Sequence, residues 1–195
     1  EVWRFRPDGT GGPWAHDALL EPLPFDPFGF PVPGANGIAF FPPNHLYVAN
    51  TEHGLILHIL INDDGTAGPV ERVAGHPVTP DPSAWIPDFR LWTADGVAAD
   101  ENGDIHVVIA AFAILSDMTG LELSPLVRVD PDTGAVTPTP TDREAYDLPL
   151  SLAFGELAPD DTSVFVTNGD LFEDPIGPGP GVVQAGVGVR GYSGK

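Results

Sequence analysis

Three polar residues recur at the head of apolar runs: Asn36 before Gly37-Ile38-Ala39-Phe40, Asp95 before Gly96-Val97-Ala98-Ala99, and Ser151 before Leu152-Ala153-Phe154. The steps are 59 residues, from 36 to 95, and 56 residues, from 95 to 151. Amide and carboxylate oxygens are hard donors, and a set of them converging on one axis suits Ca²⁺ or another oxygen-preferring cation. Taken singly, Asn-Gly and Asp-Gly are the commonest hairpin turn pairs. Here both precede matched strands instead of separating two strands, and that shared register favours ligation for Asn36 and Asp95. Ser151 reads equally as a serine satisfied by local backbone at a strand start.

Positioning such residues requires a repeat of strands, and the sequence supplies one. Each polar head opens a run that passes through turn chemistry (Pro42-Pro43-Asn44-His45, Glu101-Asn102-Gly103-Asp104, Pro159-Asp160-Asp161-Thr162) into a second apolar run. Those second runs, Leu46 to Thr51, Ile105 to Ile109 and Ser163 to Thr167, are β-branched and aromatic enough to favour strands. Outer strands follow the same rhythm: Val2 to Arg6 into Asp8-Gly9, Leu55 to Ile61 into Asp64-Gly65, and Leu126 to Val129 into Pro131-Asp132-Thr133-Gly134. A period of this kind, four short strands to the unit, predicts an all-β chain folded as propeller blades of four-stranded antiparallel meanders.

The expected units are residues 1–33, outer strands of a preceding blade with a loop; 34–94 and 95–149, each a blade and its connection; and 150–195, a partial last blade. About three and a half blades do not close a ring, since propellers carry at least four. The sequence, which opens at Glu1 within an expected strand, therefore reads as the C-terminal portion of a larger propeller whose remaining N-terminal blades are its first partner.

Composition narrows the function classes. Hydrophobic residues make up 42% of 195 residues, enough for a core, and the formal charge of −20 repels nucleic acid and anionic membranes, so neither is an expected partner. There is no cysteine, hence no disulfide framework and no thiolate metal site. The longest apolar run, Val107 to Leu115, is about half of a membrane span. The chain reads as soluble.

In a four-stranded meander the second-to-third and blade-to-blade connections share one face. Those connections are the long ones: 15–33, 76–91, 111–124 and 169–180. The inner strands start on that face, so Asn36, Asp95 and Ser151 are placed at the mouth of the central tunnel, beneath loops of the kind that carry function. Trp85, Trp92 and Phe112 fall in or beside these loops, as packing residues or as substrate contacts. The six histidines show no zinc spacing and read as structural or surface residues. No Gly-x-Ser-x-Gly and no phosphate-cradling loop occurs, which disfavours serine hydrolases and nucleotide enzymes.

The runs Gly34 to Phe40, Leu46 to Thr51, Ala94 to Asp100 and Leu150 to Gly155 resemble successive inner strands of the senescence marker protein (regucalcin) and gluconolactonase family, and the resemblance covers nearly the whole chain. It implies a six-bladed propeller with one divalent cation in the tunnel, Ca²⁺ first and Zn²⁺ or another second, and metal-dependent hydrolysis of lactones or related esters. By the same resemblance Asn36 and Asp95 are metal ligands and Asp95 is also a general base. The family's metal-binding glutamate, in its first blade, and a further substrate-contacting asparagine have no counterpart in the sequence. Two function classes follow: a metal-dependent hydrolase whose cation polarises the carbonyl while a carboxylate activates water, and a non-catalytic propeller that binds a small ligand or protein partner through its long-loop face.

Overall fold

A computed structural model of the chain describes residues 1–24, 32–77, 86–169 and 178–192. Thirteen strands are present among them. β1 (Val2–Phe5) and β2 (Gly11–Ala15) form a hairpin; β3 (Ala35–Phe41), β4 (His45–Asn50), β5 (Leu55–Ile61) and β6 (Ala67–Ala74) form one sheet in that order. β7 (Ala94–Ala99), β8 (Ile105–Ile109), β9 (Leu126–Val129) and β10 (Val136–Pro138) form another. The last sheet is β11 (Pro149–Phe154), β12 (Ser163–Asn168) and β13 (Gly181–Gly186). Every pairing is antiparallel between sequence neighbours. The inner strands stand side by side, β3 against β7 and β7 against β11. This is an incomplete all-β propeller.

Turn chemistry explains the outer hairpins. Asp8 and Asp64 each accept the backbone N–H of the threonine two residues on, at 2.9 Å, while Gly9 and Gly65 take φ of 83° and 79°, the left-handed region that glycine enters without a Cβ penalty. In the third copy the accepting carboxylate is Asp130, bonded to Asp132 N at 2.9 Å, so Asp132 is not the counterpart of Asp8. The β1–β2 hairpin is tied to the second blade through Gly65, whose carbonyl accepts from Arg4 at 2.6 Å and from the Trp14 indole at 2.9 Å.

One connection expected as irregular contains a helix, α1 (Phe112–Thr119). Gly120, at φ 69°, ends it in the left-handed conformation and donates its N–H to Ser116 O at 2.8 Å. Phe112 and Leu115 face inward, in the core that joins the second, third and fourth sheets around Leu91, Ile105, Ile109 and Leu126. Each such side chain stabilises by about 1.5–3 kcal/mol on burial. A smaller core, with Leu20, Leu55, Leu57 and Ile59, joins the β1–β2 hairpin to the second blade. No helix among the described residues is long and apolar enough to cross a membrane.

Candidate functional site

Each inner strand carries the same irregularity at its head. Ala35 pairs with Asn50 and Ile38 with Val48; Ala94 pairs with Ile109 and Val97 with Val107; Pro149 pairs with Asn168 and Leu152 with Val166. In every case three steps on the inner strand oppose two on its neighbour, which is a β-bulge of one residue. Bulges re-aim side chains, and here they do so at Asn36-Gly37 and Asp95-Gly96. The same count gives a correction. The position equivalent to Asn36 and Asp95 is Leu150, and Ser151 is equivalent to Gly37 and Gly96. Reading Ser151 as the third polar head was therefore one residue out of register, because an apolar pattern of period two does not reveal where an extra residue is inserted. Leu150 packs on Gly169, where an added Cβ would lie 2.5 Å from Leu150 Cδ1.

Glycine after the site residue is what allows the strands to approach. A Cβ on Gly37 would lie 2.0 Å from Asp95 O, and one on Gly96 would lie 2.6 Å from Ser151 Cα. Asn36 is thus carried against the backbone of Asp95, and its side chain hydrogen-bonds the Asp95 carboxylate. Burial pushes the Asp95 carboxyl up to about 6, and the Asn36 hydrogen bond acts in the opposite direction.

Sequence reasoning missed the residue that orients this pair. Thr51, buried at the end of β4, accepts from Asn36 Nδ2 at 3.1 Å and donates its hydroxyl to Ala94 O at 2.7 Å. Its carbonyl accepts from Thr93 N at 3.0 Å. Thr93 takes φ 68°, unfavourable for a β-branched residue, and is held there by Thr51 O, by Ala110 N on its carbonyl at 3.0 Å, and by Ala111 N on its hydroxyl at 3.0 Å. The last two bonds tie the entry to α1 directly to the strand that carries Asp95. The available signal was positional: Thr51 closes the second of the matched runs, one residue past the strand.

The donors match an oxygen-preferring cation in kind and fall short of one in number. Ca²⁺ takes six to eight oxygens. Asn36 and Asp95 supply two side chains, and among the described residues no group of three or more His, Cys, Asp or Glu is placed to hold a metal ion. Of the aromatic candidates, Trp92 and Phe112 are buried, 7% and 4% exposed: Trp92 packs edge-on against Phe89 at 5.9 Å, and Phe112 lies under the Arg143 guanidinium at 5.6 Å. The structure places both in the core. Trp85 lies outside the described residues. A cleft of about 620 Å³ opens at the far ends of the inner strands, lined by Ala39, Val97, Leu152, Phe154 and Tyr192, away from Asn36 and Asp95.

Two histidine clusters occupy the second and third blades. His106 Nε2 and Asp100 Oδ2 are 3.1 Å apart and fully buried; burial lowers the His106 pKa and outweighs the opposing effect of Asp100. His45 Nδ1 and His58 Nε2 are 2.9 Å apart beside Tyr47. Burial, then the neighbouring His45, lowers the pKa of His58.

Antiparallel meanders whose inner strands stand side by side, each bulged at its head, define an incomplete propeller. Two solved structures share that fold. A protein provisionally designated a gluconolactonase superposes with a TM-score of 0.57 at 18% identity, over 98% of this chain and 47% of its own. Regucalcin from Agrobacterium tumefaciens strain C58, described as a calcium-binding protein, superposes with a TM-score of 0.54 at 18% identity, over 81% of this chain and 47% of its own. The chain spans about half the length of each. No family model and no curated protein sequence matches it. The fold is gluconolactonase- and regucalcin-like.

Proposed function

We propose that this chain supplies part of the active site of a divalent-cation-dependent hydrolase acting on lactones or related esters, with Asn36 and Asp95 at its centre. The observation that carries this reading is the pair itself: two oxygen-bearing side chains on adjacent bulged strands, one of them a carboxyl pushed up to about 6 by burial. A hard cation, Ca²⁺ first, would be held by the Asn36 amide oxygen and the Asp95 carboxylate, with further oxygens from other blades; when bound it polarises the substrate carbonyl. Asp95 takes a proton from the attacking water as its oxygen bonds to the carbonyl carbon. The acyl–oxygen bond then breaks, and the proton passes to the departing alkoxide, giving the hydroxy acid or the acid and alcohol.

The test is a lactone and aryl-ester hydrolysis screen on the polypeptide with its remaining blades, in parallel for the wild type, Asp95→Asn and Asn36→Ala. Loss of general-base assistance lowers kcat about 10²–10⁴-fold in Asp95→Asn with the fold retained. Equal kcat for Asp95→Asn and the wild type would remove Asp95 from the chemistry.

A further inference from the structure

The strand register of the second blade sets two imidazoles nitrogen to nitrogen. Tyr47 on β4 lies opposite His58 on β5, and His58 lies opposite Glu71 on β6, so the three side chains stand on one face of the sheet. His45, the first residue of β4 and two before Tyr47, shares that face. The imidazoles stack with centroids 5.1 Å apart, the Tyr47 ring lies 5.2 Å from that of His58, and one hydrogen bond of 2.9 Å joins His45 Nδ1 and His58 Nε2. A cleft of about 350 Å³ opens beside them, walled by Glu71 and Arg72 of β6 and by the turn Pro131 to Gly134 of the third blade, which carries Asp132.

A bond between two neutral imidazoles uses one N–H and one lone pair, and this fixes where added protons go. Glu71 Oε2 lies 3.9 Å from His58 Nδ1 and favours the hydrogen of His58 on that nitrogen, so His58 Nε2 is the acceptor and His45 Nδ1 the donor. His45 Nε2 is then outside the bond. A first proton placed there leaves the bond intact and makes its donor charged, which strengthens it. The charged groups facing the pair are the carboxylates of Glu71 and Asp132 against the guanidinium of Arg72, whose Nη1 donates to Gly75 O at 2.6 Å, and their balance favours that proton. A second proton has only His58 Nε2 to go to. It sets two N–H groups and two like charges face to face across 2.9 Å, and the bond breaks. Burial, then His45, resists that proton, and Glu71 works against them.

We propose that His45 and His58 form a pH-operated latch across β4 and β5, closed with no added proton or one, and opened by the second, which drives the His45 ring out of the stack and into the cleft. His45 is the ring that moves, because it stands at the end of its strand, whereas His58 lies within β5 between Tyr47 and Glu71. The latch is independent of Asn36 and Asp95.

The experiment is an NMR titration of the chain, labelled with nitrogen-15 at its histidines, through the histidine range for the wild type, His45→Phe and Glu71→Gln, with each ring read separately from His106. In the wild type the His45 and His58 signals move in two steps at least about one pH unit apart, and the Tyr47 ring signals move with the second. His45→Phe keeps a ring in the stack, removes the facing nitrogen and raises the His58 midpoint by about one pH unit. Glu71→Gln lowers it. Should His45→Phe fail to fold, the wild type and Glu71→Gln decide, because the Glu71 side chain is 70% exposed. One common midpoint for the two rings overturns the proposal. So does a His58 midpoint unmoved by His45→Phe or, where that variant does not fold, by Glu71→Gln, and so does a second step that leaves Tyr47 unchanged or coincides with unfolding of the whole chain.

Discussion

Thr51 carries more of the site than its single hydroxyl suggests. It holds Asn36 by one bond and the backbone ahead of Asp95 by another. Thr51→Val keeps the shape and removes both, leaving the Ala94 carbonyl and one Asn36 N–H without partners. A buried group left unsatisfied costs about 1–3 kcal/mol, so urea denaturation should show a loss of that order, with Thr51→Ser close to the wild type. An unchanged midpoint for Thr51→Val would mean that the network contributes nothing. His106 gives the pH counterpart. Its folded pKa is lowered, so as pH falls through about 6.5 the unfolded chain takes up a proton that the folded one resists, and stability present above that pH is lost. Relative to His106→Gln, the wild-type denaturation midpoint should fall between pH 7.5 and 5.5. Parallel midpoints across that range would contradict the burial argument.

Among the elements, the inner strands show which features the sequence reveals and which it hides. Short apolar runs and the turn residues after them mark all three, because a buried strand is a short apolar run and the chain must turn before the next. The bulges left no such mark. Asn36-Gly37 and Asp95-Gly96 look alike in the sequence, whereas Leu150-Ser151 invites alignment on the serine, and only the pairing of Pro149 with Asn168 shows that Leu150 holds the polar position. Helix α1 was hidden for a similar reason: eight residues continuing the apolar run from β8 lack a side-chain cap at Ala111. The glycines of the bulges are the element-level test. Gly37→Ala would press a methyl into Asp95 O, forcing β3 and β7 apart at a cost of about 1–3 kcal/mol, whereas Gly12→Ala, with open space around it, should be close to neutral. Equal denaturation midpoints for the two would refute the close approach of the inner strands.

At the scale of the whole molecule, four sheets stand in sequence without closing a ring, and the strand edges and apolar side chains this leaves have consequences. Trp3 and Phe5 on β1 are 53% and 72% exposed, and Ile38 and Phe40 on β3 are 51% and 45% exposed. Such surfaces are templates for other strands. The isolated 195-residue chain should therefore self-associate in sedimentation velocity despite its charge of −20; a monodisperse monomer with a cooperative melt would contradict the open-ring architecture.

The central claim is that Asn36 and Asp95 are two ligands of one cation, and calorimetric Ca²⁺ titration of the polypeptide with its remaining blades tests it most directly. The account predicts one ion per chain, binding lost or severely weakened in Asn36→Ala, and binding weakened but retained in Asp95→Asn, where one neutral oxygen replaces a charged one. A folded wild type that takes up no divalent cation, or one whose affinity is unchanged by both substitutions, would contradict it.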